Sequence, residues 1–388
     1  MSGDGATAED RYGHLDASER ELLLEASAIG QALSGVSAED AAGRLNRPLV
    51  RALADRGLLG RLFGDPEADR SGQRISALEL CLIREGLALI CTEAETAFAL
   101  QGLGSYPLLL AGRAELVEAW VPAMARGEAI PAFALTEPGA GSDVAAISLE
   151  AERERSGWRL TGTKTFISNA PEADLYTVFA RTSGERGARG ITAFAVAGDT
   201  PGLSGEPLEL ISPHPIGRLD LEGVHVPAGS VLGEPDAGFG IAMRTLDQFR
   251  PSVGAFAVGM AQTAIDVAVE HTRSRPAFGG HLRDLQAVSH PLAEMAARVQ
   301  AARLLVHDAA RATDRRRPGH RALVAMAKLL ATETAQLAVD AAIQAHGGIA
   351  LERGHVLEHL YREVRAPRIY EGASEVQREI IARELYGR

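Results

Sequence analysis

Three observations predict an α+β multidomain fold. The chain has 388 residues, too many for one hydrophobic core. Its two ends carry the helical period of apolar residues. Its middle carries short β-rich runs separated by Gly, Pro and Asn clusters. Domains are expected over residues 1–130 (helical), 131–236 (β-barrel) and 237–388 (helical bundle).

From about Ala17 to Gly127 apolar residues recur at three- and four-residue steps, as in Leu22, Leu23, Ala26 and Ile29, and again in Ile75, Leu78, Leu82 and Ile83. Turn-rich stretches predict helix breaks at Phe63 to Gly72 and at Gly102 to Pro107. Between about Trp158 and Val231 the runs WRLTGTKTFIS, LYTVFA, ITAFAV and LDLEGVHV are spaced as in a small barrel or sandwich. Beyond Gly238 long helices are expected around Val253 to Thr272, Leu285 to Ala312 and Ala322 to Ala345, with Pro251 at a first turn or a kink.

Composition narrows the function classes. Apolar residues make up 46% and charged residues 23%, as in ordinary globular proteins. No apolar run approaches the roughly 20 residues that cross a bilayer, so membrane insertion is not expected. A net charge of -11 argues against a nucleic-acid scaffold, which needs a basic footprint. The basic run DRRRPGHR, Asp314 to Arg321, reads as a solvated interhelical turn. The start MSGDGATAEDRYGHLD has acids where a secretory signal has positive charge, which points to a cytoplasmic protein. Cys81 and Cys91 lie in an apolar helical stretch and read as buried, inert thiols.

Four stretches could carry chemistry. FALTEPGAGSD, Phe133 to Asp143, combines turn glycines with the hydroxyls of Thr136 and Ser142, though by pattern it could equally be an ordinary Gly-rich turn. In GTKTFISNA, Gly162 to Ala170, Phe166 and Ser168 lie two apart and so share one side of a strand, offering a plane beside a hydroxyl; a core Phe with a satisfied Ser is the plainer alternative. RPAFGGHLRDLQ holds Arg275, whose planar fork suits a pyrophosphate. QAHGGIA, Gln344 to Ala350, runs a helix into a glycine pair, as a common C-cap would. No Walker loop, GxGxxG, GxSxG elbow or metal-ligand spacing is present. Finally, Glu371 stands in RIYEGASEVQREI before the last helix, where a helix-start acid would need no further explanation.

Taken together and in this order, these stretches resemble the acyl-CoA dehydrogenase family of flavoproteins, over essentially the whole chain beyond the first fifteen or so residues. The resemblance implies an N-terminal helical domain, a middle β-barrel and a C-terminal four-helix bundle, assembled as a homotetramer (a dimer of dimers) with FAD between subunits. It implies α,β-dehydrogenation of an acyl thioester, on CoA or on an acyl carrier protein, with an electron-transfer flavoprotein as acceptor. Glu371 falls on the family's usual base position and would take the α-proton while hydride leaves the β-carbon for flavin N5. The alternative base position of some branches falls on Phe249, which cannot accept a proton.

By the same resemblance, Phe133, Leu135, Thr136, Gly141, Ser142, Phe166, Ile167 and Ser168 fall on the flavin loops. Arg275, Phe278, Gln286, Gln344, Gly347, Gly348, Ala373 and Glu375 fall on the remaining FAD contacts, several of them made to a neighbouring subunit. The substrate would meet Ser142, Asp247, Arg250, Gly372 and Arg383, with Glu95 and Ala99 near the end of the acyl pocket. Four departures stand out: Phe166 for the usual Trp, Ala373 for the usual Thr, Ala350 for a third glycine, and no Arg in ISPHPIG, Ile211 to Gly217. A flavin oxidase or monooxygenase on the same fold is the competing reading, and a binding or assembly protein that kept the fold is a third.

Overall fold

The computed structural model describes residues 11–37, 43–63, 75–185 and 187–387. They fold into two compact units, the first from residues up to Ser34, Ser76–Glu95 and Gln248–Arg388, the second from Gly35–Ile75 and Thr96–Asp247. The helices are α1 (Ala17–Ser37), α2 (Arg47–Asp55), α3 (Leu58–Phe63), α4 (Ala77–Ala88), α5 (Thr92–Ala111) and α6 (Ala114–Ala125), then α7 (Gly238–Ser274), α8 (Gln286–Asp314), α9 (His320–His346), α10 (Val356–Glu363) and α11 (Ser374–Tyr386). Helical ends and a β-rich middle were the expected order.

The first unit is a helical bundle. Helices α8 and α9 run along each other, α11 packs on α9, and α4 lies against α8. Its core is built from small residues, Ala255, Ala257, Ala261, Ala264, Ala302, Ala327, Ala331, Ala335 and Ala338, interlocked with Phe256, Met260, Val299 and Val306. Alanine pays no rotamer entropy in a helix and lets helices approach closely. One polar knot interrupts this core. Glu85 on α4, fully buried, accepts from Arg303 Nε at 2.7 Å and from the Tyr12 hydroxyl at 3.2 Å, and lies 3.0 Å from His307 Nε2.

In the second unit, strands β1 (Pro131–Ala134), β2 (Glu150–Arg153), β3 (Gly157–Ser168), β4 (Leu175–Arg181), β5 (Ile191–Ala197), β6 (Leu203–Pro207), β7 (Ile216–Pro227) and β8 (Val231–Leu232) form one mixed sheet. The order is β6-β7-β3-β2-β4-β5-β8, with β1 added parallel to β4. Strands β4 and β5 are buried along almost their whole length, which explains their unbroken apolar character.

Several expectations need correction. The break at Gly102 to Pro107 does not occur, because α5 runs through it with Pro107 inside. The glycine there serves packing: a Cβ on Gly104 would come within 2.7 Å of the Pro131 backbone. Tertiary contact has overridden a turn signal. Of the two places expected for Pro251, a first turn or a kink, the first turn is ruled out, because the residue lies well inside α7. Two helices, Gly238–Ser274 and the stretch His320–Leu351, are long and apolar enough to cross a membrane by composition, with mean hydropathy 1.4 and 1.3; 78% and 61% of those windows are buried inside the structure. They are core helices, and their apolar character reflects burial on most sides. The break predicted at Phe63 to Gly72 lies outside the described residues after Phe63. Cys81 and Cys91 are buried and form no disulfide, as expected.

Candidate active site

In the first unit the chain leaves a short turn at Ala366–Arg368, passes Tyr370 and Glu371, and enters α11 at Ser374. Glu371 has φ 51° and Gly372 φ 96°. A left-handed conformation is routine for glycine and uncommon for glutamate, so the surroundings must hold Glu371 there. Three side chains do so through the backbone: Arg250 Nε donates to the Glu371 carbonyl at 3.0 Å, while Lys328 Nζ and Gln377 Nε2 each donate to the Gly372 carbonyl at 2.8 Å. The side chain at Gly372 could not be larger, since a Cβ would meet Gln377 Nε2 at 2.5 Å.

The carboxylate so placed is half-buried, and its Oε2 is shielded from solvent without any hydrogen-bond partner. Burial pushes its pKa above the ordinary glutamate value, opposed by the positive charges of Arg84, Arg250 and Lys328. Burial also lowers the Lys328 ammonium to about 8. The amide N–H of Glu371 has no acceptor among the described residues. A desolvated base beside a free backbone donor can take a proton and stabilise the charge that develops on a neighbouring oxygen.

Ala373 stands at the N-cap of α11 and provides no side-chain cap. Ser374 turns instead to Glu333, donating at 2.6 Å. Glu375 is exposed, and so is Arg383, which pairs with Glu379 at 2.8 Å. Arg250 is almost wholly buried and committed to the Glu371 carbonyl. Glu95, expected near the end of an acyl pocket, is buried against Arg84.

Arg275, Phe278 and Gln286 lie where α7 ends, in a hairpin of Pro276–Ala277 (β9) with Gly280–His281 (β10), and at the start of α8. All three are exposed, Phe278 by 93% and with φ 49°. Gln344 is exposed near the end of α9, which Gly347 terminates with φ 70°, and Cβ atoms on Gly347 or Gly348 would meet nothing within 4 Å. Each of these stretches presents polar groups and bare backbone outward.

In the second unit, the loop after β1 is fastened to β3. Lys164, fully buried, donates to Glu137 Oε1 at 2.8 Å and to the Leu135 carbonyl at 2.9 Å, and the Thr165 amide donates to the Thr136 carbonyl at 3.0 Å. Glu137 in turn accepts from the Ser148 and Leu149 amides at 2.6 and 3.0 Å. Burial drops the Lys164 ammonium to about 8 against the pull of Glu137. This frame holds out Gly141 and Ser142, both exposed. A Cβ on Gly139 or Gly141 would meet nothing within 4 Å, so the space above the loop is open.

On β3 the pairing with β7 shifts register between Lys164 and Ile167, and Phe166 takes φ 54°. The bulge turns the Phe166 ring out, 57% exposed, with Ser168 half-buried on the same side and Ile167 buried on the other. The shared side expected of Phe166 and Ser168 holds, yet regular alternation did not produce it. Phe133, Leu135 and Ile167 give their side chains to the interior, with Phe133, partly buried, edge-on to Phe179 at 5.0 Å, so for Leu135 and Ile167 a ligand would meet chiefly the main chain. Ala99 is buried in α5 and Asp247 is half-buried in α7. Within the second unit, an exposed aromatic plane beside hydroxyls and an open glycine loop suit a large planar cofactor; within the first, the shielded, unpartnered Oε2 of Glu371 suits proton transfer. No group of metal-ligating side chains occurs among the described residues.

Sequence reasoning missed Arg84, Lys328 and the pair Lys164 with Glu137. The signal was there for the first two, a lone cation inside ALELCLIREGLALI and another inside ALVAMAKLLATE.

Comparison with known proteins gives this arrangement its class. Residues 24–128, 132–224 and 236–386 match the N-terminal, middle and C-terminal domains of acyl-CoA dehydrogenase. The chain is 37% identical over 353 residues to cyclohexane-1-carbonyl-CoA dehydrogenase of Geobacter metallireducens, covering 89% of this chain and 91% of that one. It is 39% identical over 333 residues to the human mitochondrial short-chain specific acyl-CoA dehydrogenase, covering 85% and 81%. The solved structure of butyryl-CoA dehydrogenase from Megasphaera elsdenii superposes with a TM-score of 0.88 at 31% identity, covering 96% and 99%. The chain belongs to the acyl-CoA dehydrogenase family. It is an FAD-dependent oxidoreductase acting on the CH–CH bond of acyl-CoA thioesters.

Proposed function

We propose that Glu371 is the base of this dehydrogenase and that its Oε2 takes the α-proton of the thioester. The observation that carries the assignment is the pairing of a solvent-shielded, unpartnered Oε2 with a left-handed backbone held by Arg250, Lys328 and Gln377. Such an arrangement stores cost at one residue and has no structural use. An α-hydrogen beside a thioester is a weak acid, and burial makes Glu371 a stronger base than a carboxylate in water. The free Glu371 amide would hydrogen-bond the thioester oxygen as it gains charge. FAD, when bound, supplies the acceptor for the hydride that leaves the β-carbon. The product is the trans-2-enoyl thioester.

Thr136, Gly141, Ser142, Phe166 and Ser168 would hold the flavin, together with the main chain of Phe133, Leu135 and Ile167. The exposed Arg275, Phe278, Gln286, Gln344, Gly347 and Gly348 suit contacts to the FAD of a neighbouring subunit, which supports a homotetramer. Ala373 and Glu375, beside α11, would complete the cofactor's surroundings. Gly372, Arg250, Asp247 and Arg383 would meet the thioester and its carrier. An electron-transfer flavoprotein is the proposed acceptor, and the cytoplasm the proposed compartment, in keeping with two buried thiols outside any disulfide. The relatives point to short or cyclic acyl groups on CoA.

Anaerobic mixing of the FAD-loaded protein with butyryl-CoA and cyclohexane-1-carbonyl-CoA tests the reading. Loss of the oxidised-flavin colour with at least one thioester is expected. A stable yellow protein with every thioester, reduced only by other donors, would remove the dehydrogenase assignment.

A further inference from the structure

Arg84 on α4 and Glu95 on α5 form a charge pair 3% and 0% exposed. Arg84 Nε donates to Glu95 Oε1, and Nη1 donates to Ser252 Oγ at 2.7 Å. The Ser252 hydroxyl in turn donates to the Phe249 carbonyl at 2.7 Å, so Arg84 is anchored on the same turn of α7 that provides Arg250 to the Glu371 carbonyl. The Arg84 guanidinium carbon also lies 5.8 Å from the Phe256 ring centroid. The charge of Arg84 acts on both Tyr370 and Glu371, so pair and base share one neighbourhood.

Two hydrogen-bond donors there remain open. Arg84 Nη2 has no acceptor among the described residues, and it is not sealed from solvent. The same holds for the hydroxyl of Tyr370. A buried ion pair rarely adds stability over apolar residues of the same volume, and a pocket for a plain hydrocarbon chain needs none. Donors held rigidly by a neutralised pair are what a site needs to recognise an acceptor atom. The acceptor's charge is also constrained. Glu95 and Glu371 both act on the one guanidinium, so a carboxylate on the substrate would be repelled by two carboxylates, whereas a neutral oxygen carries no charge for them to repel.

We infer that the acyl group oxidised here carries a neutral oxygen, as a hydroxyl or a ketone, held by Arg84 Nη2 and the Tyr370 hydroxyl. This rests on the dehydrogenase reading above and names the substrate class within it. Glu95 keeps Arg84 in place and cancels its charge.

The test is anaerobic flavin reduction by three acyl-CoA chains of matched length, one unsubstituted, one with a hydroxyl at the terminal carbon or a ketone at the carbon next to it, and one with a terminal carboxylate. The oxygenated neutral chain is expected to exceed the other two in kcat/KM by about tenfold or more. Equal or better reduction by the unsubstituted or the carboxylate chain overturns the inference while leaving the dehydrogenase reading intact. No reduction by any chain removes that reading as well. Tyr370→Phe and Arg84→Gln should each bring the ratio of oxygenated to unsubstituted chain close to one, whatever happens to the absolute rates. A merely structural role would slow all chains alike and leave the ratio unchanged, which would also overturn the inference.

Discussion

Glu85 and Glu371 are two shielded carboxylates in one helical unit, and they are treated in opposite ways. Glu85 is fully buried but surrounded by Arg303, His307 and Tyr12. Burial alone would raise its pKa; the Arg303 charge and the His307 hydrogen bond overcome that and hold it at about 2. Glu371 keeps some exposure, yet its Oε2 has no partner, and burial prevails over the cations nearby. The contrast teaches that hydrogen-bond satisfaction, more than depth, separates a structural acid from the proposed base.

The largest effect should come from removing the proposed base. Glu371→Gln is expected to keep FAD bound while slowing flavin reduction by at least about 10³-fold, within the range general bases contribute; single-turnover reduction and the bound-flavin spectrum check both halves. Removing the structural acid should act on folding instead. Glu85→Gln leaves Arg303 buried without its counter-charge and should destabilise by about 3–5 kcal/mol, read by denaturant unfolding, with normal turnover per folded molecule.

The two acids should also give stability opposite pH dependences. The folded-state pKa of Glu85 is depressed, so its contribution is present above the ordinary value and lost as pH falls towards about 2. That of Glu371 is raised, so its contribution is present below the ordinary value and lost as pH rises through the folded one. Unfolding of FAD-free wild type and Glu371→Gln across pH should show the variant gaining relative stability as pH rises. A constant difference would contradict this.

Two smaller effects sharpen the picture. Lys328→Met removes a cation that favours ionised Glu371, so the midpoint of the pH–rate profile for flavin reduction should move upward. An unmoved midpoint would mean that the lysine only fastens the Gly372 carbonyl. Ala373→Thr restores a cap that α11 lacks and should add about 0.5–1 kcal/mol to thermal or denaturant stability.

Much of this was legible in the sequence because it is local. Helical and strand periods, the glycine loops and the position of Glu371 before the last helix can be read from neighbouring residues. What stayed hidden depends on partners far apart in the chain. Arg84 needs Ser252 and Glu95 to be understood, and Lys328 needs Gly372. Lys164 meets Glu137 across the fold of a strand and a loop. Gly102 to Pro107 read as a break because propensity knows nothing of the Pro131 backbone packed on Gly104. Phe166 was placed on the correct side by a period-two argument, although a bulge and a left-handed φ put it there. Register shifts of this kind leave no mark in composition.

The central claim is that Glu371 exchanges a proton with the α-carbon, and it can be observed apart from the redox step. 3,3-Dimethylbutyryl-CoA has α-hydrogens but none on its β-carbon, so it cannot pass a hydride onward. In deuterated water the FAD-loaded protein should replace its α-hydrogens with deuterium, faster as pH rises, and Glu371→Gln should not. Exchange in the variant at the wild-type rate would assign the proton to another group and contradict the account.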